Sequence, residues 1–399
     1  MKYKELNNVY YKSKEEFEEL YSSRINSESA YVFDFFINDY NAFVVINPEI
    51  LEKVENIMSL NQELFIKMNA VPPIALNQYA NKCLIDEVKM TNDIEGVIST
   101  RKEIGEILQD KVKGKKNRLY GLVKKYGVLK EKEVIKLETN QNIRSLYDEL
   151  VLYEVVEEDD ENIPDGHIFR KGRVSVRNSF DVEIHQGLYP EKAIIENMTK
   201  SLNILNNEKY NFFIRIAVFH YMFGYVHPFY DGNGRLSRFI SSYLLSRKLE
   251  YLVSYKLSYT IKQNIKTYYK SFKSTNDEHN RGDLTIFVMK FLDFIYESLN
   301  DLVNALEERI SKLNYYVSYA EKICGKDEKM IRIVFILVQE SLFGYRGLGV
   351  EELQKVSGVG MSKTRSTLKY LNEKKLVRKN KEGNKILYNM DLDTMKTIE

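Results

Sequence analysis

Cysteine is almost missing. The 399 residues hold two, Cys83 and Cys324, set far apart. That excludes a disulfide framework and a cysteine-based metal site, and suits a reducing compartment. Proline is scarce as well, with six in the whole chain, so long helical periodicities run unbroken. No stretch of eighteen apolar residues occurs, and the opening Met-Lys-Tyr-Lys-Glu-Leu has no apolar signal core. The expectation is a cytoplasmic protein with no membrane partner. Charge of either sign is nearly absent in net terms. A balance of +2 gives no overall pull toward nucleic acid, so any such preference must be local. No internal repeat is present, which excludes a solenoid. What remains is an ordinary globular composition, 44% hydrophobic and 29% charged, at a length that suits two or three domains.

Chemistry concentrates in twelve residues, His227-Pro-Phe-Tyr-Asp-Gly-Asn-Gly-Arg-Leu-Ser-Arg238. Apolar runs flank them, Phe212 to Val226 before and Leu236 to Leu245 after, which predicts a helix, a tight loop and a second helix. Gly232 and Gly234 lack a Cβ, so consecutive N–H groups can converge on an anion. The loop opens a helix, whose first N–H groups and dipole favour negative charge. Arg235 and Arg238 are three apart, neighbours on a helix surface able to fork onto phosphate. Asp231 offers a carboxylate of the kind that holds Mg²⁺ together with substrate oxygens. His227 titrates near neutrality and can take a proton from a hydroxyl. These parts suit transfer of a phosphorus-centred group to an alcohol.

The string resembles the motif of the Fic (filamentation induced by cAMP) family, His-Pro-Phe-x-Asp/Glu-Gly-Asn-Gly-Arg-x-x-Arg, at every specified position. The resemblance implies transfer of AMP from ATP to a protein hydroxyl. His227 would be the general base and Asp231 the Mg²⁺ ligand. Gly232, Asn233 and Gly234 would cradle the α- and β-phosphates, Arg235 would hold the β-phosphate and Arg238 the γ-phosphate. Glycine at 234, where the kinase-like Doc branch often has lysine, favours nucleotidyl transfer. Thr91-Asn92-Asp93-Ile94-Glu95-Gly96 resembles the inhibitory motif of the same family, with Glu95 paired to Arg238 and so denying the γ-phosphate its partner. Phe169 to Glu183 reads as a β-hairpin; in the family a flap there registers the target peptide. Tyr268-Tyr269 and Asn276 fall at a spacing resembling the adenine pocket, Tyr269 against the ring and Asn276 on its edge.

The expected fold is mainly α: a helical Fic core with a hairpin flap, plus a C-terminal winged helix-turn-helix. The expected divisions are a helical N-terminal region over 1–110, the Fic domain over 111–320 and the winged unit over 330–399. Val71-Pro72-Pro73 breaks the chain before a helix over Ala75 to Met90. Gly114 to Lys132 and the acidic Glu157 to Glu161 read as solvated, Thr285 to Leu299 as a closing helix, and Glu321 to Lys329 as a linker. In the last unit Ser362, Lys363, Arg365, Ser366 and Lys369 would lie on a recognition helix, with Arg378, Lys379, Lys381 and Lys385 on a wing.

Two classes of function stay open at this stage. One is a protein adenylyltransferase restrained by Glu95, acting on a target protein or on itself. The other is a DNA-binding regulator with a sensory or vestigial Fic part. A variant of the first removes AMP, with Glu95 orienting water. ATP and Mg²⁺ are the implied small-molecule partners, and a homo-oligomer is conceivable.

Overall fold

The structure, a computed structural model, describes residues 3–109, 117–131, 133–177, 183–383 and 385–396. It is mainly helical. By packing the chain divides into two units: residues 1–61 with 85–299, and residues 62–84 with 300–399. The first 110 residues are thus shared between them.

The first unit begins with α1 (Leu6–Tyr10) and α2 (Lys14–Ile25), followed by a hairpin of β1 (Ala30–Ile37) and β2 (Tyr40–Val45). Alternation in β1 buries Phe33, Phe35 and Ile37 on one face. Next come α3 (Pro48–Asn69) and α4 (Pro73–Glu95), both opened by proline, which costs nothing at a first helical position. The Ala75–Met90 expectation is therefore met and exceeded by a turn at the C-terminal end. α5 (Arg101–Leu108), α6 (Tyr120–Val128), α7 (Asn140–Leu150) and α8 (Leu152–Glu158) follow. The lysine-rich 114–132 segment is more than a solvated face, since α6 buries Leu122, Val123 and Tyr126. Its residues 114–116 and 132 lie outside the described ones. The acidic 157–161 run likewise starts inside α8, where no loop was needed to solvate it.

A short hairpin of β3 (Ser175–Arg177) and β4 (Glu183–Gln186) precedes α9 (Glu191–Asn206). The tip expected over 178–179 lies outside the described residues. α10 (Phe212–Val226) and α11 (Asn233–Lys248) form the centre, each burying twelve of its residues. Then come α12 (Leu257–Gln263) and α13 (Ile265–Asn276). The expected closing helix is real but much longer: α14 spans Thr285–Cys324, forty residues, and absorbs the start of the expected linker. Apolar positions such as Leu302, Leu306, Leu313 and Ala320 are buried along it, which keeps a charged sequence helical.

In the second unit α15 (Glu328–Phe343) leads to β5 (Leu348–Gly349), α16 (Val350–Ser357), α17 (Met361–Glu373), β6 (Val377–Glu382), β7 (Lys385–Met390) and α18 (Leu392–Met395). The three strands form one antiparallel sheet in the order β5-β7-β6. No helix among the described residues is long and apolar enough to cross a membrane.

Candidate active site

α10 is apolar on nearly every side because it is surrounded. It stops at His227, whose φ of 52° lies in the left-handed region, and Pro228 cannot extend a helix. The loop that follows is held from inside. The buried Asn233 side chain accepts from the Phe229 N–H (3.0 Å) and donates to the Phe229 carbonyl (2.8 Å). The Phe229 ring stacks on Tyr147 at 3.7 Å. Gly232, at φ +78°, is the turn into α11, and a Cβ there would stand 2.9 Å from Val151. No side chain caps this helix start.

Left-handed geometry at a histidine needs support. Arg170, fully buried, supplies it. Its guanidinium donates to the carbonyls of His227 (2.9 Å), Gly172 (2.5 Å) and Leu188 (2.9 Å). The last two flank the hairpin, so one cation ties the flap base to the loop. Burial, with the Arg170 and His185 charges, pushes the half-buried His227 imidazole down to about 3, below the near-neutral titration expected of it, so the ring is neutral at physiological pH.

The two arginines of α11 are both buried, and each meets a carboxylate. Arg235 pairs with Glu154 of α8 (2.5 Å) and with Asp231 (3.1 Å). Asp231 also accepts from the Gly232 N–H at 2.5 Å. Burial raises the Glu154 carboxyl to about 7, against the pull of Arg235. Arg238 points the other way. It donates to the Thr91 hydroxyl (2.9 Å), the Thr91 carbonyl (3.0 Å) and Glu95 Oε1 (2.7 Å). Burial alone would lower the Arg238 pKa; the Glu95 charge and hydrogen bond hold it above the usual value. Glu95 Oε1 lies 1.9 Å from where a Cβ on Gly234 would be. A carboxylate oxygen therefore rests directly on the glycine.

Glu87, Thr91 and Glu95 are spaced by four and share one face of α4. The fully buried Glu87 accepts from the Ser258 N–H with both oxygens (2.9 Å each) and from the Tyr259 N–H (3.2 Å), fastening α4 to the start of α12. Burial raises its carboxyl to about 7. Lys262 donates to the Asp93 carbonyl at 2.6 Å. Behind Arg238, His220 bridges Ser241 (2.9 Å) and Tyr268 (2.8 Å).

Of the residues expected at the site, Glu95, Gly234, Arg238 and Tyr269 come together; burial first and then the Glu95 charge push the Tyr269 phenol up to about 12. Asp231 and Arg235 form a second group. Asn233 offers only its backbone, since its side chain is committed to Phe229. Arg235 is likewise occupied by two carboxylates. The Asn276 side-chain oxygen accepts from the Tyr221 hydroxyl (2.6 Å). Sequence reasoning missed Glu154, Arg170 and Glu87. The four-residue spacing to Glu95 was a signal for Glu87; no local signal marked the other two.

For Mg²⁺, no cluster of three or more metal-ligating side chains exists among the described residues. Asp231 is one partly exposed carboxylate beside an uncapped helix start. That set fits an ion carried in by phosphate oxygens, because Mg²⁺ keeps few protein ligands.

Residues 129–245 match the family model described as Fic/DOC family. A Fic family protein from Desulfovibrio desulfuricans G20 superposes with a TM-score of 0.53 at 16% identity, covering 86% of this chain and 96% of its own. A Fic domain containing signaling protein from Bacteroides thetaiotaomicron VPI-5482 gives 0.44 at 18% identity, covering 63% of this chain and 97% of its own. Fic-1 from C. elegans gives 0.42 at 18% identity, covering 65% of this chain and 74% of its own. No curated protein matches. At 16% identity the likeness to the Desulfovibrio protein concerns the fold alone. The chain carries a Fic/DOC-family domain over residues 129–245.

Proposed function

We propose that this protein is an adenylyltransferase that moves AMP from ATP to a hydroxyl side chain of a protein, restrained by Glu95. The observation that carries the reading is the Glu95 carboxylate, seated on Gly234 and bound to Arg238. An anion already rests on the glycine of the loop and holds its arginine, which is what a site built for polyphosphate would need to keep it closed.

The neutral His227 ring takes the proton of the target hydroxyl. The hydroxyl oxygen attacks the α-phosphorus, the bond from that phosphorus to its bridging oxygen breaks, and pyrophosphate leaves. The uncapped N–H groups at the start of α11 face the phosphates. Asp231 would hold Mg²⁺, which when bound offsets their charge. Arg238, once released by Glu95, takes the terminal phosphate, and Tyr269 lies against the base. The hairpin, tied to His227 through Arg170, presents a strand edge to the target.

The test is incubation with Mg²⁺, lysate and ATP labelled at the α- or the γ-phosphate. Protein labelling by the α-label alone is expected, and His227→Ala should lower it by about 10²–10⁴ while ATP still binds. Transfer of the γ-label would make the protein a kinase. Absence of both labels, in wild type and in Glu95→Gly, would remove the enzymatic reading.

A further inference from the structure

Adenylyl transfer as argued uses nothing from residues 325–396, yet that segment is built around a helix-turn-helix. α16 and α17 are joined through Gly358, at φ +65°, and Gly360. A three-stranded antiparallel sheet completes the unit, its hairpin turning at Gly383, φ +57°. α17 buries Thr364, Thr367, Leu368 and Leu371. Its opposite face, Ser362, Arg365, Ser366, Lys369 and Asn372, is polar and exposed. From 361 to 386 the chain has nine basic and two acidic residues, an excess greater than the +2 of the whole protein. The balanced total therefore conceals one basic region.

Not every cation there is available. Lys363 is bonded to Asp327, and Arg378 is held by Asp391 at 2.8 Å and Asp393 at 3.5 Å. Both therefore carry an ion pair, so the contacts are assigned to other cations. Arg365, Lys381 and Lys385 have no ion pair among the described residues, and all are exposed. Lys369 has only Glu373, at 4.0 Å on its own helix. The α17 start has no side-chain cap. A protein-docking face would be depleted of lysine and enriched in apolar groups at its centre. This face has the reverse composition, with Tyr370 and Ile386 as its partly exposed large apolar residues.

We propose that this unit binds duplex DNA, with α17 in the major groove and the β6–β7 hairpin along the flanking phosphates. Arg365 and Ser362, near the start of α17, are the residues placed to read base edges; Lys369, Lys381 and Lys385 contact phosphate. The inference is independent of adenylyl transfer.

The test uses the full chain and a labelled mixed-sequence duplex about three helical turns long, without ATP. Binding should weaken by roughly 40-fold between about 50 and 200 mM salt, as expected for about three phosphate contacts. Lys381→Ala with Lys385→Ala should lower the log–log salt slope by about 2, and Arg365→Ala should weaken binding further. Arg378→Ala, whose partner is Asp391, should leave the slope unchanged. The hairpin lysines are exposed, so the pair decides the matter even where Arg365→Ala disturbs folding. No binding at low salt, or a slope unaltered in the lysine pair, would overturn the proposal. So would loss of a self-associated form in the same variants, which would make the face a protein interface. Neither result touches labelling by ATP.

Discussion

Arg235 and Arg238 sit one turn apart on the same helix, both buried and both ion-paired, but their partners differ in kind. Glu154, at 1% exposure, is enclosed and projects from α8. Glu95, at 27%, is the last residue of α4 and has solvent within reach of its side chain. The first pair lies behind the loop; the second lies on its front, over Gly234. The two glycines repeat the division. Gly232 faces Val151 and Tyr147 on the rear side, and Gly234 faces Glu95 on the front. A buried charge pair whose members cannot leave is structural, whereas the same chemistry at a helix terminus is displaceable.

The largest expected effect follows from breaking the rear pair. Arg235→Ala leaves the buried Glu154 with only Arg118, 3.9 Å away, at about 3–5 kcal/mol of stability. Arg238→Ala should cost roughly 1–3 kcal/mol, because Glu95 can turn to water and Thr91 loses a donor. Denaturant titration of the two variants checks the order. Equal losses would mean that the front is as rigid as the rear.

Glu95→Gly sharpens the contrast through activity. Freed from its carboxylate, Arg238 should accept the terminal phosphate, and transfer of α-label should rise about 5–150-fold, a coupling of about 1–3 kcal/mol. Adding Arg238→Ala should abolish the gain. A Glu95→Gly protein that transfers no more AMP but removes it more slowly would assign Glu95 to a hydrolytic step.

The glycines give a smaller pair of effects. Gly232→Ala forces a side chain to φ +78° and should lower stability by about 1–2 kcal/mol. Gly234→Ala carries no such strain. Its methyl instead displaces the Glu95 oxygen and fills the anion position, so thermal stability should hold while ATP affinity falls. Calorimetry of folding and of ATP binding separates the two, and a stability loss at 234 would contradict the division.

The least effect is on pH dependence. Burial holds His220 and His227 at about 3, below their ordinary 6.5, so their contribution is lost as pH falls from about 6.5 toward 3. Burial holds Glu87 and Glu154 at about 7, above their ordinary 4.5. Their contribution is gained as pH falls through 7 and is complete below 4.5. Over pH 4.5–6.5 the two pairs of groups nearly offset. Glu87→Gln removes one of the opposing groups, so its melting temperature should drop relative to wild type across that window. Parallel profiles would show that Glu87 stays ionised in the fold.

Legibility followed the range of the interactions. Helix types, the hairpins and the loop were readable because periodicity, glycine and proline act within a few residues. α14 was underestimated because charged residues masked an apolar stripe that only neighbouring packing makes decisive. Lys363 and Arg378 read as free cations, but their acids lie 36 and 13 residues away in the chain.

By itself the sequence determined which groups exist at one place: His227, Asp231, two glycines and two arginines within twelve residues, with Glu95 on a distant helix end. Tertiary structure alone decided how they are used. It put Glu154 behind Arg235, laid Glu95 on Gly234, spent the Asn233 side chain on Phe229 and made Arg170 the support of a left-handed histidine. Each of those outcomes depends on which buried polar group finds a partner from another helix. That is settled by three-dimensional proximity and the penalty for an unpaired buried charge, neither of which is written in local spacing.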